Sequence, residues 1–227
     1  MPVYNPNVNR EHDLGDRVAD KTIIDWTIEW WKWLLSKSDE ENPFTVVGPA
    51  RPHRYIAGQP NELQQQTMKE YGESVWFVAG APYAEPESTI RIPIPAGRWS
   101  ILASPANVIA CPEMFPSLKT LQELQKHVQK DAAGTYELYT LLDGFSLNGC
   151  VVDLTDKIVE VDSGILPPKN MMNINKKNNS DTTLHTIQYG IWVWIRPLAS
   201  GDHLLRLHGY SRFYKLDTQY QLDVTGP

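Results

Sequence analysis

The chain has 227 residues, of which 41% are hydrophobic and 21% are charged, a composition typical of a folded globular protein and not of a disordered one. The net charge is −6 and no basic run exceeds Lys176-Lys177, which argues against nucleic acid or an anionic membrane surface as a partner. No apolar stretch is long enough to span a bilayer, so we expect no membrane partner.

The first 19 residues are polar, contain Pro2, Pro6 and Gly15, and predict an extended arm. We expect residues 20–227 to form a single domain, since this length suits one large domain. The N-terminus lacks the apolar region of a signal peptide. It therefore favours either a cytoplasmic protein or the mature form of an exported one.

A Trp-rich helix is predicted from Asp20, which has a side chain suited to an N-cap. Two apolar rows follow at helical spacing: Ile23, Trp26, Trp30 and Trp33, then Ile24, Ile28, Trp31 and Leu35. The remaining positions form one narrow polar stripe: Asp25, Glu29, Lys32 and Ser36. Such a helix is expected to be buried on most sides.

The middle of the chain mixes short strands with helical segments. Strands are predicted at residues 44–47, 74–79, 89–94 and 98–103. Pro93 and Pro95 favour a sheet edge or a strand end for the third of these. Helical turns are expected within residues 61–71, and a second helix is predicted to begin at Ser117 and to extend to Lys130.

The C-terminal half alternates with period two. Asp143-Gly144 predicts a hairpin turn between strands, and residues 157–161 form a further short strand. Residues 166–182 are expected to be a surface loop. Residues 187–195 are apolar on both faces, which indicates a central strand, and two further strands follow it. The pattern predicts an all-β or β-dominated α+β fold, an antiparallel sandwich or flattened barrel, with the N-terminal helix and one further helix.

Several segments resemble a family of mostly uncharacterised, often exported bacterial proteins. They are WTIEWWKWLLS followed by NPF, SVWFVAG, RIPIPAGRWSILASPANVIAC, LLDGFSLNG, GIWVWIRPLASGDHLLRLHG and the terminal YQLDVT. They occur in the family's order and span roughly Asp25 to Thr225. The resemblance implies a β-sandwich-like domain with a packed N-terminal helix, and it implies no activity.

Motifs for common chemistry are missing from the sequence. It contains no G-x-S-x-G, no G-x-G-x-x-G and no P-loop, and its six histidines do not pair at metal-ligand spacing. We therefore expect no cofactor and no metal. Cys111 and Cys150 are either bridged in an exported protein or two buried thiols, of which the second fits a cytosolic protein better. Asn178 begins a glycosylation sequon that matters only if the chain is secreted.

Three residues are candidates for polar or catalytic roles. His185, at the start of the Trp-containing strand, is the best single candidate for acid–base chemistry, by position alone. Glu29 pairs with Asp25 one helical turn away, which suits either an acid–base pair or an ordinary solvated stripe with Lys32 beside Glu29. Arg91 is the third candidate polar contact.

Eight Trp residues are the most unusual feature of the composition. Aromatic side chains build cores, and they also line apolar ligand sites. One hypothesis is a cofactor-free protein with an aromatic pocket for a small hydrophobic molecule, walled by Trp30, Trp192 and Trp194, that either binds it or catalyses a cyclisation or isomerisation. The alternative is a structural or interaction module with Trp in its core and subunit interface, which leaves a homo-oligomer open.

Overall fold

The computed structural model describes residues 11–38, 60–80, 89–162, 166, 183–211 and 215–226. The helices are α1 (Ile23–Leu35), α2 (Glu62–Tyr71) and α3 (Leu121–Ala133). The strands are β1 (Arg17–Val18), β2 (Lys21–Thr22), β3 (Glu73–Val78), β4 (Thr89–Ile94), β5 (Arg98–Ala110), β6 (Thr135–Leu142), β7 (Phe145–Leu147), β8 (Cys150–Asp162), β9 (Thr183–Ile195), β10 (Gly201–Ser211) and β11 (Lys215–Val224). The strand predicted at residues 44–47 and almost all of the predicted loop at residues 166–182 lie outside the described residues.

Two sheets enclose one of the two main parts of the core. One has four strands in the order β3-β5-β9-β8, and the other has five in the order β4-β11-β10-β6-β7. Their facing side chains include Ile92, Ile101, Val193, Leu205 and Tyr220, each at most 1% exposed. The prediction of a β-dominated, sandwich-like α+β fold with an N-terminal helix is confirmed.

Strand β9 divides the core into two parts. It pairs with β5 on one side and β8 on the other, so the predicted central position is confirmed. Val193 and Ile195 point between the two sheets, whereas Trp192 and Trp194 belong to the cluster around α1. Since successive side chains of a strand alternate faces, one apolar segment serves both clusters.

Helix α1 begins two residues later than the sequence predicts. Thr22, not Asp20, is the N-cap: its hydroxyl accepts from the Asp25 N–H, and the Asp25 carboxylate accepts from the Thr22 N–H at 2.8 Å. Asp20 has a φ of 60°, which places it in the turn between β1 and β2. The reciprocal capping box satisfies two backbone donors and explains this choice.

Helix α3 also starts later than predicted. It begins at Leu121 after Thr120, whose hydroxyl accepts from the Glu123 N–H, so the predicted start at Ser117 is wrong. Leu124 and Val128 pack against Ile187 of β9. The expected helical turns at residues 61–71 form the ten-residue helix α2, capped by Asn61.

Two pairs of strands run parallel, a departure from the expected antiparallel sheets. β3 pairs with β5 because the chain crosses to the other sheet as β4 before it returns beside β3. β4 in turn pairs in parallel with β11 and forms an edge of its sheet, as Pro93 predicts. All other pairs are antiparallel within the described ranges.

The hairpin β6–β7 turns at Asp143-Gly144, with φ values of 52° and 82°. Positive φ at both positions is the signature of the type I′ turn that the sequence predicts. In the described part of the chain, no helix has the length and apolar character needed to cross a membrane.

Candidate functional site

All eight Trp side chains are buried, the most accessible being Trp33 at 6%. Trp30 of α1 meets Trp192 of β9 edge to face, with ring centroids 5.0 Å apart. The Trp30 indole N–H donates to the Val78 carbonyl at 3.1 Å. Trp30, Trp192 and Trp194, the expected pocket wall, are each at most 1% exposed and contribute to the core around α1.

The packing of Trp192 depends on a glycine in the same strand. A Cβ atom at Gly190 would overlap the Trp192 indole ring and would lie 3.0 Å from the Asn107 side chain. The missing side chain therefore leaves room for the Trp192 ring, which contacts Trp30.

An open groove of about 650 Å³ runs between helix α1 and strand β8. Its apolar lining consists of Ile24, Ile28, Leu154, Ile158 and Val159. Lys157, Glu160 and His185 supply its polar groups. Ile24 is 40% exposed and Ile158 is 53% exposed, so the groove presents apolar surface to solvent.

The groove owes its shape to an irregularity in β8. Leu154 of β8 pairs with Gln188 of β9, and the next paired residue of β8 is Val159, which pairs with Thr186. The step between these pairs is therefore five residues on β8 but only two on β9. The extra residues leave the ladder, as in a β-bulge, and carry Lys157 and Ile158 outward. Ile24 and Ile28 reach the same space because they lie on one face of α1, one turn apart.

His185 is the only predicted catalytic residue among those that line this groove. Its Nε2 lies 3.7 Å from Glu160 Oε1, and the two side chains are 48% and 71% exposed. At such exposure the pair is well screened by water and contributes little to stability. His185 is thus accessible to a bound molecule.

Glu29 and Arg91 lie elsewhere. Glu29 forms an ion pair with Lys32 at 3.1 Å, as the solvated-stripe interpretation predicts. Arg91 points outward from β4, in the sheet farther from α1, and contacts Gln221 at 3.4 Å. The structure therefore does not bring His185, Glu29 and Arg91 together.

The two cysteines are free thiols. Burial raises the pKa of Cys111 to about 12 and that of Cys150 to about 11. Cys150 also donates to the Trp192 carbonyl at 3.2 Å. Because the thiolate is the nucleophilic form, both are unreactive at neutral pH.

A second polar cluster joins residues that the sequence does not connect. His12 Nε2 lies 2.9 Å from Ser100 Oγ, and His12 Nδ1 lies 3.1 Å from Asp16 Oδ2. Arg196 Nη2 donates to the same Asp16 oxygen at 3.0 Å. The i, i+4 spacing of His12 and Asp16 was the only available signal, because Ser100 is 88 positions from His12.

The electrostatics of this cluster favour a neutral imidazole and an ionised carboxylate. Burial lowers the pKa of His12, and the contacts with Asp16 only partly offset that effect. The hydrogen bond from His12 lowers the pKa of Asp16, with further help from Arg196. Among the described residues, no group of three or more His, Cys, Asp or Glu side chains is placed to hold a metal ion.

Comparison with known proteins identifies no relative that names a function. No family model and no curated protein sequence matches the chain. The solved structure titled "Solution Structure of Amebosin" aligns with 66% of this chain and 96% of its own, at 9% identity and a TM-score of 0.24. A likeness at that level carries no argument about fold or function.

Proposed function

We propose that this protein binds a small hydrophobic molecule in the groove between α1 and β8. The observation that carries the proposal is the exposure of Ile24 and Ile158 inside one concave space. Small-ligand sites occupy roughly 300–1,000 Å³ and are mostly apolar with a few polar groups. The groove, at about 650 Å³, has that size and that lining.

The polar groups of the groove favour a ligand with one polar end. Lys157 offers an ammonium donor, while His185 and Glu160 lie together on the β8–β9 ladder. A few polar contacts of this kind orient an otherwise apolar ligand. A molecule with an apolar body and a polar or anionic head fits this arrangement.

Binding without reaction is the version that the geometry supports best. The cyclisation or isomerisation version needs polar groups that converge on the substrate. His185 reaches the groove, whereas Glu29 is paired with Lys32 and Arg91 lies on the other sheet. A single exposed imidazole supports recognition of a polar head more directly than catalysis.

A structural or interaction module is the second candidate, favoured by the burial of all eight Trp side chains. That observation supports the part of this alternative that places Trp in the core, but it leaves no accessible Trp side chain for the subunit interface. An interaction module would leave the exposed isoleucines of the groove without a ligand.

Titration with a fluorescent fatty acid, 11-(dansylamino)undecanoic acid, tests the binding proposal. We expect saturable binding, weakened about 10-fold by Ile158→Asp, a loss of about 1.4 kcal/mol. Val151→Asp is the matched control, because Val151 is also 53% exposed on β8 but does not line the groove. Equal weakening by both substitutions, or no saturable binding by the wild-type protein, would favour the interaction module.

A further inference from the structure

We propose that Ser100, His12 and Asp16 form a nucleophilic site that hydrolyses small carboxylic esters. The three side chains stand in the order hydroxyl, imidazole and carboxylate, with contacts of 2.9 Å and 3.1 Å. This arrangement is the one that activates a serine on several unrelated folds, and it is recognised by geometry and not by sequence position. The site uses no residue of the groove and goes beyond ligand binding.

Asp16 is the positioning residue of the site. Its carboxylate accepts from Arg196 at 3.0 Å and from the Asp13 backbone N–H at 3.2 Å, which fixes its orientation. An ionised carboxylate beside Nδ1 requires the proton of a neutral imidazole to be on Nδ1. His12 Nε2 is then an acceptor for the Ser100 hydroxyl proton.

The surroundings of His12 suit a general base. Its side chain is 11% exposed, and its ring lies 4.4 Å from that of Trp194. The charged groups that act on it are Asp16, Arg196 and Glu73. Burial outweighs the carboxylates and lowers the pKa of the imidazole, so the ring is neutral and able to take a proton at pH 7.

Arg196 is the candidate for stabilising the developing oxyanion, by its register beside Ser100. Ile195 pairs with Ile101, so Arg196 follows on β9 at the level of Ser100. Its Nη2 holds Asp16, while its buried Nε has no hydrogen-bond partner within the described residues. A fixed donor in a partly dry site stabilises negative charge in the transition state.

The reaction proceeds in two balanced steps. Ser100 Oγ attacks the ester carbonyl carbon while its proton moves to His12 Nε2. The bond to the leaving alkoxide breaks, the alkoxide takes that proton, and an alcohol leaves behind an acylated Ser100. Water then attacks in the same way, and the carboxylic acid departs with Ser100 and His12 restored.

Burial of the serine restricts the substrate. Ser100 is 2% exposed, so only a compact acyl group reaches its hydroxyl. Acetyl and similarly small esters fit this restriction better than long-chain esters. The substrate class therefore differs from the amphipathic ligand proposed for the groove.

The direct test is labelling of the wild-type protein with methanesulfonyl fluoride, a serine reagent about as compact as an acetyl group, followed by mass spectrometry. We expect one label per chain, mapped to Ser100, and hydrolysis of p-nitrophenyl acetate that the label abolishes. Ser100→Ala and His12→Gln should each reduce hydrolysis about 100-fold or more. The activity of the wild-type protein should rise through a pKa below 6.5 and stay level at neutral pH.

Matched controls separate catalysis from folding. Ser104→Ala removes another buried serine of β5, which donates to the Ile191 carbonyl and contacts no imidazole. His203→Gln removes a histidine that has the same Nδ1–carboxylate contact, with Asp143, but whose Nε2 faces the Ala199 carbonyl. Both should leave the hydrolysis rate within about 2-fold. Asp16→Asn should lower kcat and shift the pH profile without changing KM.

Two outcomes would overturn the proposal. One is the absence of any covalent label on folded wild-type protein. The other is label or hydrolysis that persists in Ser100→Ala. If the protein takes up no label and His12→Gln lowers only its melting temperature, the three residues have a structural role and hold residues 11–18 against the sheet.

Discussion

Helix α1 presents two apolar faces that meet different surroundings. Trp26 and Trp30 are fully buried, and their indole N–H groups donate to the Val18 and Val78 carbonyls. Ile24 and Ile28 border an open groove, and Ile24 is 40% exposed. The larger, amphipathic rings therefore stabilise the fold, while smaller aliphatic side chains provide the accessible apolar surface.

This difference shows why an excess of Trp is a poor guide to a ligand site. A Trp ring buries a large apolar area, and this area favours the core whether or not the indole N–H finds an acceptor. Trp26 and Trp30 donate to backbone carbonyls, whereas the buried indole nitrogens of Trp31, Trp76, Trp99 and Trp194 have no hydrogen-bond partner within the described residues. The groove, in contrast, arises where β8 leaves its ladder, which no feature of the helix reveals.

The strongest test of the difference is Trp30→Ala. We expect it to lower the free energy of unfolding by about 3–5 kcal/mol, because it opens a cavity beside Trp192 and removes the hydrogen bond to Val78. Urea denaturation measures this change. Ile24→Ala on the groove face should stay within about 0.5 kcal/mol. A mild stability loss with complete loss of ligand binding would instead make Trp30 a pocket residue.

Gly190→Ala tests the packing of the buried face of α1 through Trp192, its contact on strand β9. The new methyl group would overlap the Trp192 ring, so we expect a loss of about 1–3 kcal/mol and an altered near-ultraviolet circular dichroism of the Trp cluster. Gly15→Ala is the control, because a Cβ there meets no atom within 4 Å. An unchanged spectrum would show that the ring moves without cost.

Thr22→Ala tests the start of α1, which both faces share. Loss of the capping box should reduce stability by about 0.5–2 kcal/mol, measured by thermal and urea unfolding. Thr22→Ala should weaken ligand binding at the groove less than Ile158→Asp does. The substitution frays only the first turn of α1 and leaves the rest of the helix in place.

The same cap predicts a dependence on pH. Burial raises the pKa of Asp25, but hydrogen bonds from Thr22 and the nearby cations bring it below its ordinary value of 3.8. A depressed carboxyl pKa contributes stability above the ordinary pKa, and this contribution disappears as the pH falls through the folded-state value. The stability difference between the wild-type protein and Asp25→Asn should therefore shrink below about pH 4. A constant difference would contradict this.

Local patterns predicted most of the fold. The apolar character of both faces of residues 187–195 predicted the central strand, and Asp143-Gly144 predicted a type I′ hairpin. Helix ends were less well predicted, because Asp20 and Thr22 are both suitable caps and only the reciprocal contact with Asp25 selects Thr22. The parallel strand pairs depend on a crossover between sheets, which has no local signature.

The sites were predicted less well than the fold, because contacts between residues far apart in the sequence have no local signature either. His185 was identified by its position, and it does line the groove. No sequence pattern points to Ile158, since its exposure depends on a bulge set by pairing with β9. Ser100 and His12 are brought together only by the docking of the N-terminal segment on the sheet, where the His12 N–H donates to the Trp194 carbonyl at 2.8 Å.

The parallel pair β4–β11 constrains the order in which the molecule is completed. β4 ends at Ile94, and its partner in register, Val224, lies 130 positions further along the chain. Contacts that span so much of the chain form slowly, because a large loop must close before they contribute. During synthesis the hydrogen-bonding edge of β4 must wait until β11 has left the ribosome. We therefore expect a chain truncated before β11 to expose Ile90 and Ile92 and to aggregate.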